Sequence, residues 1–246
     1  DGSLRLEDGR EPYEFVTVPL SGKKGIATLD NVCKVLSERT TFDNKCSLHL
    51  HLGGVPYDEF YIVRFIKLIT MIQKELLTAF PAYKTNPGDY IGTKNYCRPL
   101  PNNIIPRTIP NIRSLSKDEL EEYISASFNP IYHFVSDGQF PGVKYNRSVL
   151  SHPVTGAKWN INSRYSIVNL VPLMFKNFRT IEFRLHTPTS NRYKVFNWLL
   201  ICSALARYAE RLDVITLSTL TIKDVLDTVY PPAISNRLNN YLTYRK

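Results

Sequence analysis

Apolar and polar positions divide this chain into short alternating runs and longer helical stripes. Residues 13–18, Tyr-Glu-Phe-Val-Thr-Val, predict a strand, rich in β-branched and aromatic residues and ended by Pro19. Ile26, Leu29, Val32, Cys33 and Leu36 recur at helical spacing and predict a helix over about 26–39. Ser47 to Leu52 alternates strictly and predicts a strand closed by Gly53-Gly54. A helix over about 57–79 is apolar around most of its circumference and so is expected in the core. Proline-rich residues 81–113 predict loops. Ser116 and Glu119 form a capping box for a helix to about Ser127, and 129–162 read as irregular strands and turns. Strands are predicted over Arg164–Leu170 and Thr180–His186, then a buried helix over about 192–212. Two shorter helices follow, the second after Pro231-Pro232.

Strands and long helices without regular βαβ alternation predict an α+β fold. Each strand has one apolar and one polar face, which suits an antiparallel sheet covered by helices on one side and open on the other.

Two of these strands carry the candidate chemistry. The two-residue period puts Leu48, Leu50 and Leu52 on one face and Ser47, His49 and His51 on the other, the histidines about 6.5–7 Å apart. In the later strand Ile181, Phe183 and Leu185 share one face, and Thr180, Glu182, Arg184 and His186 share the other. A wet sheet face would explain either strand alone, but such faces usually collect Lys, Thr and Glu. Imidazole and carboxylate can hold a divalent cation, and Arg grips phosphate with a two-pronged fork. Imidazole also suits zinc, so a zinc site stays open, although no zinc-finger spacing or HExxH helix is present.

Composition narrows the classes. With 43% apolar and 22% charged residues in 246, the chain reads as a folded globule with a sizeable core. No apolar run approaches the roughly 20 residues of a membrane span; Val195 to Ala206 is interrupted by Asn197 and Ser203. Cys33, Cys46, Cys97 and Cys202 have no CxxC spacing, so reduced thiols and a cytoplasmic location are expected. The net charge of +9 suits an anionic partner. The basic residues are dispersed, so nothing favours nucleic acid over a phosphate-bearing small molecule. The chain opens at Asp1 with no initiator Met and no signal peptide, so its true N-terminus is expected to be processed away or to lie further upstream.

Six short motifs, in order, resemble the amidoligase family, carboxylate–amine ligases of the glutamine-synthetase-like and glutamate–cysteine-ligase-like superfamily. They are Asp1-Gly2-Ser3-Leu4; Glu14-Phe15-Val16-Thr17-Val18-Pro19-Leu20-Ser21-Gly22; Cys46-Ser47-Leu48-His49-Leu50-His51; Tyr96-Cys97-Arg98-Pro99-Leu100; Arg164-Tyr165-Ser166-Ile167-Val168-Asn169; and Thr180-Ile181-Glu182-Phe183-Arg184-Leu185.

The resemblance implies a curved, incompletely closed antiparallel sheet with helices on its outer face, the glutamine-synthetase-like catalytic fold. It implies a catalytic domain over 1–212 without its first strand, and a helical extension over 213–246. The metal ligands it implies are Glu14, His49, Glu182 and His51. Arg184, Arg164 and Arg98 are the implied contacts to phosphates, with Arg184 and Arg164 acting in catalysis. The implied cofactors are ATP and magnesium, with manganese able to stand in. The implied substrates are a carboxylate and an amine, peptide or cell-wall related. The implied source is a phage or bacterium, acting in the host cytoplasm. Two departures stand out. The family's Glu-x-Glu strand precedes Asp1, so an upstream segment or partner chain is needed to complete the site, and Ser47 replaces the glycine before His-x-His.

Two rival readings remain. One is a non-catalytic amidoligase-like binding or structural module from a longer polypeptide. The other is a metal-dependent hydrolase built on His49, His51 and His186.

Overall fold

The computed structural model describes residues 14–42, 46–81, 97–101, 104, 115–136, 166–175, 177–211 and 220–245. The chain divides into two compact units, Asp1–Thr41 with Ser190–Lys194, and Phe42–Thr189 with Val195–Lys246.

In the smaller unit the described residues form α1 (Gly22–Arg39), preceded by residues 14–21 with no regular element, and the start of a second helix at Arg192–Lys194. The strand expected over 13–18 does not form over the described residues 14–18, which pair with no other strand among the described residues. Phe15, Val16 and Val18 are all exposed, Val16 to 74%. β-Propensity reflects fit to a covered, pleated surface, and this segment has no such cover among the described residues. Asp30 and Arg192 form an ion pair at 3.1 Å within this unit.

The larger unit holds the sheet: β1 (Leu48–Leu52), β2 (Val168–Asn169) and β3 (Ile181–His186), in the order β1-β3-β2 and antiparallel throughout. Its described helices are α2 (Glu59–Thr78), α3 (Lys117–Ser136), a single turn α4 (Val171–Met174), α5 (Arg192–Arg211, of which the first three residues belong to the smaller unit), α6 (Ile222–Val229) and α7 (Pro232–Thr243). The fold is α+β with a small, unclosed antiparallel sheet.

Local chemistry sets the boundaries. β1 ends at a turn in which Gly54 takes φ of 73°, the left-handed region open to glycine. Asp58 caps α2 by accepting from the Tyr61 backbone N–H at 2.9 Å. Ile62, Phe65, Ile66, Leu68, Ile69 and Ile72 are fully buried along α2, as its all-round apolar pattern requires. Phe65 of α2 and Trp198 of α5 meet Phe183 of β3 edge-on, with ring centroids 6.0 and 6.4 Å apart. These two helices therefore cover the apolar face of the sheet.

Two boundaries differ from expectation. The capping box starts α3 as predicted, Ser116 N–H donating to Glu119 at 2.7 Å. The helix then continues to Ser136 through Pro130 rather than ending near Ser127. Phe128, Ile131, Tyr132 and Val135 are buried in the core, and that burial offsets the lost hydrogen bond at proline. The strand expected over Arg164–Leu170 is only Val168–Asn169 among the described residues. The Asn169 side chain accepts from Val171 N–H at 3.0 Å and turns the chain into α4.

Candidate active site

β3 places Glu182 and Arg184 on one face, two residues apart, and both are buried, at 5% and 8% exposure. Arg184 donates from Nη1 to Glu182 Oε1. The β1–β3 register sets His51 directly opposite Glu182 and turns His49 to the same face. Glu182 Oε1 lies 3.3 Å from His49 Nδ1 and 4.0 Å from His51 Nε2. The second ring nitrogen of His51 is hydrogen-bonded to Thr180 Oγ1 at 3.2 Å. From the other neighbouring strand Asn169 donates to Glu182 Oε2 at 2.6 Å. One carboxylate is thus the meeting point of all three strands.

Burial is the largest single influence on Glu182 and pushes its carboxyl toward protonation. Arg184, His49, the Asn169 hydrogen bond and His51 act together against it, and hold the group below its ordinary value. Glu182 is therefore an ionised carboxylate in a mostly buried setting. His49 and His51 remain accessible, their side chains 32% and 49% exposed. The polar face is open along β1 and closed along β3, where all six residues are buried. This corrects the expectation of a sheet open along one whole side. The reason is that Arg184 and Asn169 fold their polar groups onto Glu182 instead of extending into solvent.

The backbone around Arg184 is tied on both sides. Its N–H donates to Ile167 O at 3.1 Å, and its carbonyl accepts from the Cys97 thiol at 3.1 Å. Ile167 N–H in turn donates to Arg98 O at 2.9 Å, so Arg98 and Arg184 flank Ile167. The segment carrying Arg98 is clamped to α2 by Gln73, which accepts from Leu100 N–H at 2.8 Å and donates to Leu100 O at 3.1 Å. The Arg98 side chain is exposed. Sequence reasoning missed both Cys97 and Gln73 as supports of the site. Cys97 carries no signal for that role, whereas a polar residue inside the apolar stripe of α2 is a clue that points to Gln73.

His186 departs from the expected arrangement. Between Leu48 and Leu50 β1 has one residue, whereas between their partners His186 and Phe183 β3 has two. The extra residue is a β-bulge, and a one-residue shift turns the next side chain along the strand to the opposite face. His186 is thereby opposite Leu48, fully buried, with its ring 5.6 Å from those of Phe80 and Trp198. It does not share a face with His49 and His51, so the three-histidine set of the hydrolase reading is not assembled.

Of the predicted site residues, the structure brings together His49, His51, Glu182 and Arg184, and ties Arg98 to Arg184 through the backbone of Ile167. Arg164 lies outside the described residues. Glu14 belongs to the smaller unit, where its side chain is exposed. Among the described residues no group of three or more His, Cys, Asp or Glu side chains is gathered to hold a metal ion. Magnesium asks for a near-octahedral set of mainly oxygen ligands, whereas this cluster offers one carboxylate and two imidazoles. That carboxylate already accepts from Arg184 and Asn169. The described residues by themselves do not make a magnesium site.

The fold and the cluster together define an α+β protein whose open antiparallel sheet carries an ionised carboxylate paired with a guanidinium, beside two accessible imidazoles. The sequence profile of the family described as "Putative amidoligase enzyme" matches residues 1–206, and the chain belongs to that family. The match contains every residue of the cluster. No curated protein and no solved structure matches the chain. Among the described residues no helix is long and apolar enough to cross a membrane.

Proposed function

We propose that this chain is an ATP- and magnesium-dependent carboxylate–amine ligase that forms an amide or isopeptide bond through an acyl-phosphate, on a glutamine-synthetase-like sheet. The observation that carries the reading is the Arg184–Glu182 pair facing His49 and His51, inside the stretch matched by the amidoligase family. In water an amide does not form from a carboxylate and an amine without activation. A substrate carboxylate oxygen attacks the γ-phosphorus of ATP and ADP leaves. The amine nitrogen then attacks the acyl carbon, phosphate leaves, and the nitrogen gives up a proton.

Catalysis of phosphoryl transfer is mainly positioning and placement of positive charge. Arg184 suits that work because Glu182 and the bulged backbone hold it in place, so little reorganisation accompanies binding of an anion. Arg98 and Arg164 are the further cations of the proposal, and the net charge of +9 favours recruitment of ATP and a carboxylate substrate. Magnesium would be carried by the nucleotide phosphates and would offset their charge, since the described residues do not by themselves make a site for it.

Hydroxylamine offered as the amine tests this reading. Incubation with ATP, magnesium and a panel of amino acids and short acidic peptides is expected to yield a hydroxamate and an equal amount of ADP. ADP release without hydroxamate, or neither product, counts against an acyl-phosphate.

A second reading, a non-catalytic amidoligase-like module, is favoured by one observation. Both oxygens of Glu182 accept hydrogen bonds from within the protein, as they would in a purely structural pair.

A further inference from the structure

We propose that Tyr241 and Arg245, which lie beyond the family-matched stretch, are positioning residues that hold β3 in its bulged register and so set where Arg184 lies beside Glu182. The proposal rests on the geometry of the sheet and is independent of the ligand that the site takes.

The sequence of β3 alternates without a break. Regular pairing from Ile181 onward would place Leu185 opposite Leu48 and turn His186 to the polar face with Glu182 and Arg184. The structure instead pairs His186 with Leu48 and buries it completely. Two registers therefore compete, and the strand's own pattern favours the one not adopted. Something outside the strand must tip the balance.

A buried imidazole requires partners for both nitrogens. Nδ1 of His186 donates to the neighbouring Thr187 carbonyl, which leaves Nε2 as the acceptor. Nε2 accepts from the Tyr241 hydroxyl of α7 at 2.8 Å and lies in contact with Nη1 of Arg245. Arg245 donates to that same hydroxyl, and from Nη2 to Thr187 Oγ1 at 2.8 Å. Its guanidinium lies 4.6 Å over the Phe80 ring, whose edge faces His186. The last turn of the described chain thus grips both His186 and Thr187, just past the bulge, and it satisfies the His186 Nε2 that the bulged register buries in the core.

Within the bulge, Arg184 is fixed by Ile167 and Cys97. After it, His186 is fixed by Tyr241 and Arg245. Releasing the second tie lets β3 revert to regular pairing, in which Arg184 stands directly opposite His49.

The variants Tyr241→Phe and Arg245→Met test this by NMR on the isotope-labelled full chain, with no nucleotide present. The expected result is at least tenfold faster amide exchange over Phe183–His186 and a shift of the His49 ring signals, with exchange along Ile62–Ile72 unchanged. A change confined to the His186 ring would overturn the proposal, because the tail would then be a passive anchor. Tyr241→Phe removes a single oxygen and covers the case in which Arg245→Met fails to fold. If protection of α2 is lost together with that of β3 in Tyr241→Phe, the proposal also fails, because the contact would then be a general part of the core. Absence of ATP binding by the parent chain would count against the ligase reading and leave this inference standing.

Discussion

Asn169 and Glu182 are partners across the β2–β3 pair, and the amide of one donates to Oε2 of the other at 2.6 Å. The same amide accepts from Val171 N–H, so one side chain both starts α4 and orients the carboxylate. With Oε2 occupied, Oε1 is the oxygen that Arg184, His49 and His51 approach.

That arrangement makes Asn169 more than a turn residue. Asn169→Ala is expected to cost about 1–3 kcal/mol by removing the partner of Glu182 Oε2 and of the Val171 N–H. Asn169→Asp retains the oxygen for Val171 but sets a second carboxylate against the first. It is expected to destabilise further near neutral pH and to recover as the pH falls toward about 4, in urea titrations. Equal stability of the two variants at all pH values would contradict the geometry.

Glu182→Gln removes the negative charge while leaving Arg184 buried. Breaking a buried ion pair costs about 3 kcal/mol or more, and a sizeable loss of stability is expected despite the near-identical shape. Adding Arg184→Met to Glu182→Gln is expected to restore part of it, because the stranded cation is removed. Additive losses in the double variant would show that the two side chains are not energetically coupled.

The folded-state carboxyl of Glu182 titrates below its ordinary value of 4.5. Its contribution to stability is therefore fully present above that value and is lost as the pH falls through the lower folded one. The stability gap between the parent chain and Glu182→Gln is expected to narrow as the pH falls below about 4.5. A gap that stays constant down to about pH 2.5 would mean that the charge of Glu182 contributes nothing.

Much of this site was legible in the sequence because alternation in β1 and in the first part of β3 is regular. Leu50 pairs with Phe183 and His51 with Glu182, so the apolar and polar faces that the two-residue period assigns to each strand coincide. His186 was misplaced because a bulge is a property of pairing, and its cause lies 55 residues away at Tyr241. The exposed course of 14–18 was hidden for a related reason: β-branched residues signal a strand, but only a neighbouring strand makes one. The helix end expected near Ser127 falls short of Ser136 because local propensity cannot weigh the burial of Ile131 and Val135. Cys97 carries its role in a bond to a backbone carbonyl, which no residue pattern encodes.

The face assignment of β1 has its own check. Leu50 packs against the hydrophobic core, so Leu50→Asp would bury an unpaired carboxylate. Loss of near-ultraviolet circular dichroism and of cooperative thermal unfolding is expected. A folded, cooperative variant would mean that Leu50 faces solvent and the histidines face inward.

The most direct test of the ligase reading is calorimetric titration of magnesium–ATP into the folded chain and into Arg184→Met. Saturable binding by the parent chain, weakened at least tenfold in the variant, is the predicted result. A folded parent chain that binds no nucleotide either alone or with the upstream segment that the resemblance implies, or a variant that binds it equally well, would contradict the assignment of Arg184 and move the protein to a module that kept the sheet and lost the chemistry.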